Sequence, residues 1–174
     1  MPTLDEILPR LSKAKVFTVL DAKDGFYHVK LDEASSFLTT FNTPFRRYRW
    51  LRMPQGISSA PEEYQKRQHD AIRHLKGVEV IADDTLVFES GDTIEEAMKD
   101  HDSNLKALLQ RAREKNLKFN RSKLCLRCSS VSYMGHTLSA DGLSPDMAKV
   151  EAVRSMSRPT DVASVQRFWD LLIT

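Results

Sequence analysis

Apolar positions along the chain switch between helical and strand spacing, and each switch marks an element. Thr3, with Glu6 three residues on and Leu4, Ile7, Leu8 and Leu11 along one stripe, predicts a capped amphipathic helix over the first dozen residues. Val16-Phe17-Thr18-Val19-Leu20 is β-branched and aromatic, which predicts a buried strand delivering the Asp21 carboxylate at its end, with Gly25 breaking the pattern soon after. An extended pair is expected over residues 27–31 and 37–41. The Arg-rich residues 46–52 then alternate charge with bulk, as a two-faced strand does. Beyond Met53-Pro54-Gln55-Gly56, a capping Ser59, Pro61 in the first turn and the acids Glu62 and Glu63 predict a helix to Lys76, stopped by Gly77. Residues 78–82 and 85–88 read as strands separated only by Asp83-Asp84, a tight hairpin with both acids at the turn.

From Thr93 to Asn116, Ile94, Ala97, Met98, Leu105, Leu108, Leu109 and Ala112 keep the spacing of a long amphipathic helix. Residues 131–143, with Gly135 and Asp141-Gly142, read as another hairpin, and helices over about 146–156 and from Val162 onward close the chain. This order predicts an α+β fold in which helices cover one face of an antiparallel sheet.

Composition narrows the picture only slightly. A chain of 174 residues fits one hydrophobic core, and 41% apolar with 29% charged residues excludes a disordered or fibrous chain. There is no internal repeat. A net charge of +2 does not identify a nucleic-acid binder, but from Ser103 to Arg127 eight Lys and Arg residues face a single acid, Glu114. Cys125 and Cys128 form a CxxC, which raises zinc or redox chemistry. With no second CxxC and five scattered histidines, they are read as ordinary half-buried cysteines and no metal is assigned to them. No basic-then-apolar leader opens the chain and no apolar run reaches the ~18 residues of a membrane span. The expectation is an intracellular chain, cytoplasmic or nuclear, neither secreted nor membrane-bound.

The candidate chemistry lies in the acids. An Asp-Asp pair by itself is most often a solvated turn. Here apolar strands flank it and Asp21 ends an earlier apolar strand, so neighbouring strands would bring three carboxylates together. Such a cluster repels itself unless cations offset the charge, and Mg²⁺ prefers carboxylate oxygens together with phosphate and water.

Several ordered motifs resemble one family. Phe17-Thr18-Val19-Leu20-Asp21-Ala22-Lys23-Asp24-Gly25-Phe26-Tyr27-His28 is similar to the first catalytic motif of reverse transcriptases from Ty3/gypsy-type long-terminal-repeat retrotransposons. Residues 51–61, Leu-Arg-Met-Pro-Gln-Gly-Ile-Ser-Ser-Ala-Pro, resemble the second motif, and Val80-Ile81-Ala82-Asp83-Asp84 the third. Tyr133-Met134-Gly135-His136 with Asp141-Gly142-Leu143 resembles the primer-gripping hairpin and the entry to the thumb. The likeness extends from Met1 to Phe168. It departs at Ile81, where relatives carry an aromatic residue, at Arg46, where they often carry glycine, and after Phe168.

The resemblance implies a polymerase palm with a remnant of the fingers over residues 1–140 and the start of a helical thumb over 141–174. It implies two Mg²⁺ or Mn²⁺ ions held by Asp21, Asp83 and Asp84, a primed RNA or DNA template, and a deoxynucleoside triphosphate. Phe26 occupies the steric-gate position, Gln55 and Gly56 would line the nucleotide pocket, and Met134, Gly135 and His136 would hold the primer. Lys118, Arg121 and Lys123 fall in the basic run, which suits contact with the duplex backbone. The triphosphate-clamping fingers are expected to precede this segment, and ribonuclease H and integrase parts would belong to a parent polyprotein. Three activities stay open: RNA-directed DNA polymerase, a dead remnant that only binds nucleic acid, and a metal-dependent nuclease built on the same acids.

Overall fold

The computed structural model describes residues 11, 13–81, 84–133 and 136–173. The helix expected at the start of the chain lies outside these residues, except for Leu11, which is buried.

The apolar run after Lys13 forms β1 (Ala14–Asp21), and it occupies an inner position in a sheet of four antiparallel strands. β4 (Val78–Ile81) and β5 (Asp84–Ser90) form the expected hairpin, β5 pairs with β1, and β6 (Cys125–Cys128) pairs with the other side of β1, giving the order β4-β5-β1-β6. Ile81 pairs with Asp84, so Asp84 is the first residue of β5 rather than part of the turn, and residues 82 and 83 lie outside the described residues.

Strand alternation divides the sheet's side chains between two cores. Leu20, Val78, Val80 and Val87 pack with Ala71, Ile72 and Leu108 of two helices, α2 (Ala60–Ile72) and α3 (Ile94–Lys115). Phe17, Leu86 and Phe88 face the other way. They meet Val131, Tyr133 and Leu138 of a second antiparallel sheet, β7 (Ser130–Tyr133), β8 (His136–Ser139) and β9 (Gly142–Pro145). The helices thus cover one face of the main sheet, as the α+β reading requires, and a three-stranded meander covers part of the other.

The helix boundaries have local causes. Thr93 caps α3 reciprocally: its hydroxyl accepts from the Glu96 backbone N–H at 3.2 Å, while Glu96 Oε2 accepts from the Thr93 N–H at 3.3 Å. Asn116, in the left-handed region, ends it. α2 starts after Ser59, whose hydroxyl makes no capping bond, and stops at Ile72, short of the expected Lys76. α4 (Met147–Ser155) and α5 (Val162–Ile173) match the two closing helices.

The segment after β1 differs most from its prediction. Gly25–His28 is a 3-10 turn, and residues 33–38 form α1 (Glu33–Leu38), because Asp32 caps it by accepting from the Ser35 N–H at 2.7 Å. The extended residues 29–31 pair instead with 51–53: Leu31 N–H donates to Leu51 O at 3.1 Å, and Met53 N–H to Val29 O at 3.0 Å. Only β2 (Phe41–Asn42) and β3 (Arg47–Tyr48) remain of the predicted strands in this region.

Candidate active site

β1 carries the site. Its ladder with β5 runs in register from Phe17↔Phe88 to Asp21↔Asp84, so the last pair sets two carboxylate residues opposite one another at one end of the sheet. Directly opposed residues in such a ladder have Cα atoms about 4.5–5.5 Å apart. Both acids follow the alternation of Phe17, Leu86 and Phe88 and so belong to the sheet face opposite the helices. Asp83, the third predicted acid, lies outside the described residues, as do Met134 and Gly135.

Asp21 is held from both sides of its peptide unit. Asn120 N–H donates to its carbonyl at 2.8 Å, Ala22 bridges to Phe119, and Lys23 N–H donates to Lys118 O at 2.8 Å. Its carboxylate, with a side chain 20% exposed, accepts from the Lys123 ammonium at 2.8 Å through Oδ2. Lys123 reaches this position because Asn120 Oδ1 accepts from the Ser122 N–H and hydroxyl, closing a turn that leads into β6. An Asn-x-Ser sequence was the visible signal for that turn. The pairing of a residue expected on the duplex backbone with the carboxylate over 102 positions of sequence had none.

A cleft of about 310 Å³ opens beside Asp21, lined by Lys23, Asp24, Phe26, Gln55, Asn120 and Lys123 among others. It brings together four of the residues singled out from the sequence: Asp21, Phe26, Gln55 and Lys123. Phe26 is half-buried. Its ring meets the buried Tyr64 ring edge to face at 5.6 Å, and Gly25 is what admits that contact, since a Cβ there would lie 2.6 Å from the Tyr64 ring. Gly56 adopts φ +89°, a conformation that selects glycine, but it is not among the residues lining the cleft. His136 opens β8, paired with Tyr133 and Pro145, and does not line the cleft either. Lys118 and Arg121 are exposed nearby in the chain. Asp24 and Asn120 are cleft residues that the sequence reading passed over; Asp24, at φ 54°, turns the chain from β1 into the 3-10 segment.

The donor set suits a hard divalent cation. Asp21 and Asp84 offer only carboxylate oxygens, the ligand type Mg²⁺ takes, usually one or two per ion with phosphate and water completing the shell. A cationic group already rests on one of them. Among the described residues no cluster of three or more His, Cys, Asp or Glu side chains is drawn together.

Burial holds the His28 imidazole below the usual histidine range, and the charges of Lys118 and Arg52 act the same way. Among the described residues, no helix is long and apolar enough to cross a membrane.

Comparison with known proteins bears on the family and the fold. The sequence model of the reverse transcriptase (RNA-dependent DNA polymerase) family matches residues 1–138. The chain is 34% identical over 171 residues to a retrovirus-related Pol polyprotein from transposon opus of Drosophila melanogaster, covering 97% of this chain and 16% of that protein. It is 30% identical over 173 residues to the corresponding polyprotein from transposon gypsy of the same fly, again covering 16% of it. The chain thus spans about a sixth of the length of these relatives. A solved foamy viral protease-reverse transcriptase in complex with an RNA/DNA hybrid superposes with a TM-score of 0.79 at 21% identity, over 95% of this chain and 22% of that one, which shows a shared fold. The chain belongs to the reverse transcriptase family, and the relatives it matches are retrovirus-related Pol polyproteins of transposons.

Proposed function

We propose that this chain is the palm of an RNA-directed DNA polymerase that transfers a nucleotidyl group from a deoxynucleoside triphosphate to a primer 3′-hydroxyl. The observation that carries the reading is the single cleft in which Asp21 stands beside Phe26, Gln55 and Lys123, with Asp84 in register across the ladder. Asp21, Asp83 and Asp84 would hold two Mg²⁺ or Mn²⁺ ions. When bound, the ions would activate the attacking oxygen and steady the leaving oxygen of an in-line phosphoryl transfer.

The chain's own residues account for orientation and selection. The Phe26 ring, braced by Tyr64, gives a firm surface against which a ribose 2′-hydroxyl would collide, so deoxynucleotides are favoured. Gln55 faces the same cleft and supplies an amide to substrate oxygens, while the glycine at 56 leaves the adjoining backbone open to close approach. His136, with Met134 and Gly135, would hold the primer; Lys118 and Arg121 would meet the phosphate backbone of a primed RNA or DNA template, making binding salt-dependent. The shared fold with a reverse transcriptase whose structure contains an RNA/DNA hybrid supports a nucleic-acid partner. Residues 1–140 correspond to the palm with a remnant of the fingers and 141–174 to the start of the thumb. Ribonuclease H and integrase functions belong to a parent polyprotein.

The test is Mg²⁺-dependent primer extension on RNA and DNA templates by the wild type, by Asp21→Asn and by Asp83→Asn, each also joined to a fingers segment from a relative. Extension by the wild type and its loss in both variants is expected. Equal incorporation by all three would sink the assignment, and salt-sensitive duplex binding without extension in any form would establish the binding-only remnant instead.

A further inference from the structure

The two cysteines stand in a geometry that their spacing alone does not provide. In a regular strand, residues three apart point to opposite faces. In β6, Cys128 pairs with Phe17 and Cys125 with Val19, so three steps along β6 match two along β1. Leu126 and Arg127 together oppose Thr18, which is a β-bulge. Arg127 absorbs the extra residue at φ 52°, in the left-handed region, and its N–H donates to Thr18 Oγ1 at 3.0 Å. Its guanidinium forms a forked ion pair with Asp102 of α3, which holds the bulge in place.

The bulge turns both thiols to one face of the sheet. Phe17 and Val19 share a face, their partners share it too, and Cys128 packs with Val19 against the cluster that contains Phe17 and Val131. Two strand steps span about 6.6 Å, at the upper end of the roughly 4.4–6.8 Å between Cα atoms that a disulfide bridges, so closing the bond draws the two Cβ atoms in to about 3.5–4.5 Å. The thiols already sense one another. Burial pushes the Cys128 thiol above its ordinary range, and the charge and hydrogen bond of Cys125 push it the same way. Both are free cysteines, with Cys125 exposed and Cys128 partly so.

We propose that Cys125 and Cys128 form a dithiol that closes reversibly to an intrachain disulfide on exposure to hydrogen peroxide. The exposed Cys125 thiol reacts first: peroxide transfers one oxygen to sulfur, giving a sulfenic acid and releasing one water. Cys128 sulfur then displaces that oxygen as a second water, leaving the S–S bond. Two electrons and two protons pass to the peroxide oxygens overall, and a small dithiol reductant returns them. A metal site is the weaker use of the pair, because among the described residues no further His, Cys, Asp or Glu group gathers with them and a closed zinc site takes four ligands.

The product has a distinctive signature. Trypsin cleaves after Lys123 and after Arg127, so the two cysteines fall in different peptides, one spanning residues 124–127 and the other beginning at Cys128. Wild-type protein treated with a modest excess of hydrogen peroxide, blocked with an alkylating agent and digested without reduction should yield these peptides joined. The parent should migrate as a monomer in non-reducing electrophoresis, lose the mass of two hydrogens and recover it with dithiothreitol. Cys125→Ser and Cys128→Ser, checked for native circular dichroism, should give no such species. Full alkylation of both thiols after oxidation, joined peptides found only in dimers, or stable sulfinic acid at Cys125 would each overturn the proposal. These readouts need no polymerase activity, so the inference stands or falls separately from the proposed function.

Discussion

Replacing Lys123 by methionine removes the ammonium that rests on Asp21 while keeping a stem of similar length. At 2.8 Å two unit charges attract by about 1.5 kcal/mol even at the dielectric constant of water. The pair is open on one side, with the Lys123 side chain 61% exposed, and the Coulomb figure has to be discounted for solvent and for ordering the side chain. What remains for such pairs is about 0.2–1 kcal/mol. A divalent cation that takes the Asp21 oxygens has to displace this contact, so Lys123→Met should tighten metal binding by that amount, up to about fivefold. Titration calorimetry with MnCl₂, at one ionic strength and without nucleic acid, measures it directly. Lys123→Arg, which retains the charge, should leave the affinity within twofold of the wild type, and Asp21→Asn should weaken it in either background. Unchanged or weaker binding by Lys123→Met would refute the reasoning, for it would mean that the ammonium and the cation do not compete for one carboxylate.

Other perturbations follow from the packing. Gly25→Ala places a Cβ 2.6 Å from the buried Tyr64 ring and should cost about 1–3 kcal/mol in urea unfolding, with Tyr64→Leu restoring part of the loss. Thr93→Ala removes one half of the α3 capping box and should cost about 1 kcal/mol in the same assay, whereas Thr93→Ser should stay within a few tenths of the wild type. His101, fully buried on α3, is held below its ordinary value of 6.5 mainly by burial, with the neighbouring Asp102 pulling the other way. Its contribution to stability is therefore complete above pH 6.5 and falls as the pH drops below that, because the unfolded chain takes up the proton first. The wild type should unfold at lower urea at pH 5 than at pH 7, and His101→Gln should flatten that difference; an identical slope in the variant would contradict the assignment.

How much of this was legible in the sequence depended on whether local and tertiary forces agreed. β1, the β4–β5 hairpin and α3 were readable because strand propensity or a capping box pointed the same way as burial. Residues 37–41 misled because Phe37 and Phe41 suggest a strand, while the Asp32 cap, which accepts from the Ser35 N–H and hydroxyl, decides for a helix that runs to Leu38. β6 was invisible as a strand: its run Cys-Leu-Arg-Cys has no alternation to detect, and it exists because β1 offers an unpaired edge. At the site, each member of the Asp21, Phe26 and Gln55 group was identifiable as a motif residue, and their convergence in one cleft follows from the 3-10 turn after β1 and the pairing of 29–31 with 51–53. The ion pair from Lys123 could not be read at all, since it depends on how a turn 102 residues away folds back over the end of β1.

The in-register β1–β5 ladder also determines which changes of chain length the molecule tolerates. Inserting or deleting one residue between Phe17 and Asp21 would turn the Asp21 carboxylate to the other side of the sheet, toward the apolar cluster of Leu20, Ala71 and Leu108. The same change at the exposed turn of Ala140 and Asp141, between β8 and β9, moves nothing that faces the cleft. Substitution and length variation therefore act on different maps of this chain: strand positions that accept another apolar residue still forbid an extra one, because the site is stored as a count of residues as much as a choice of them.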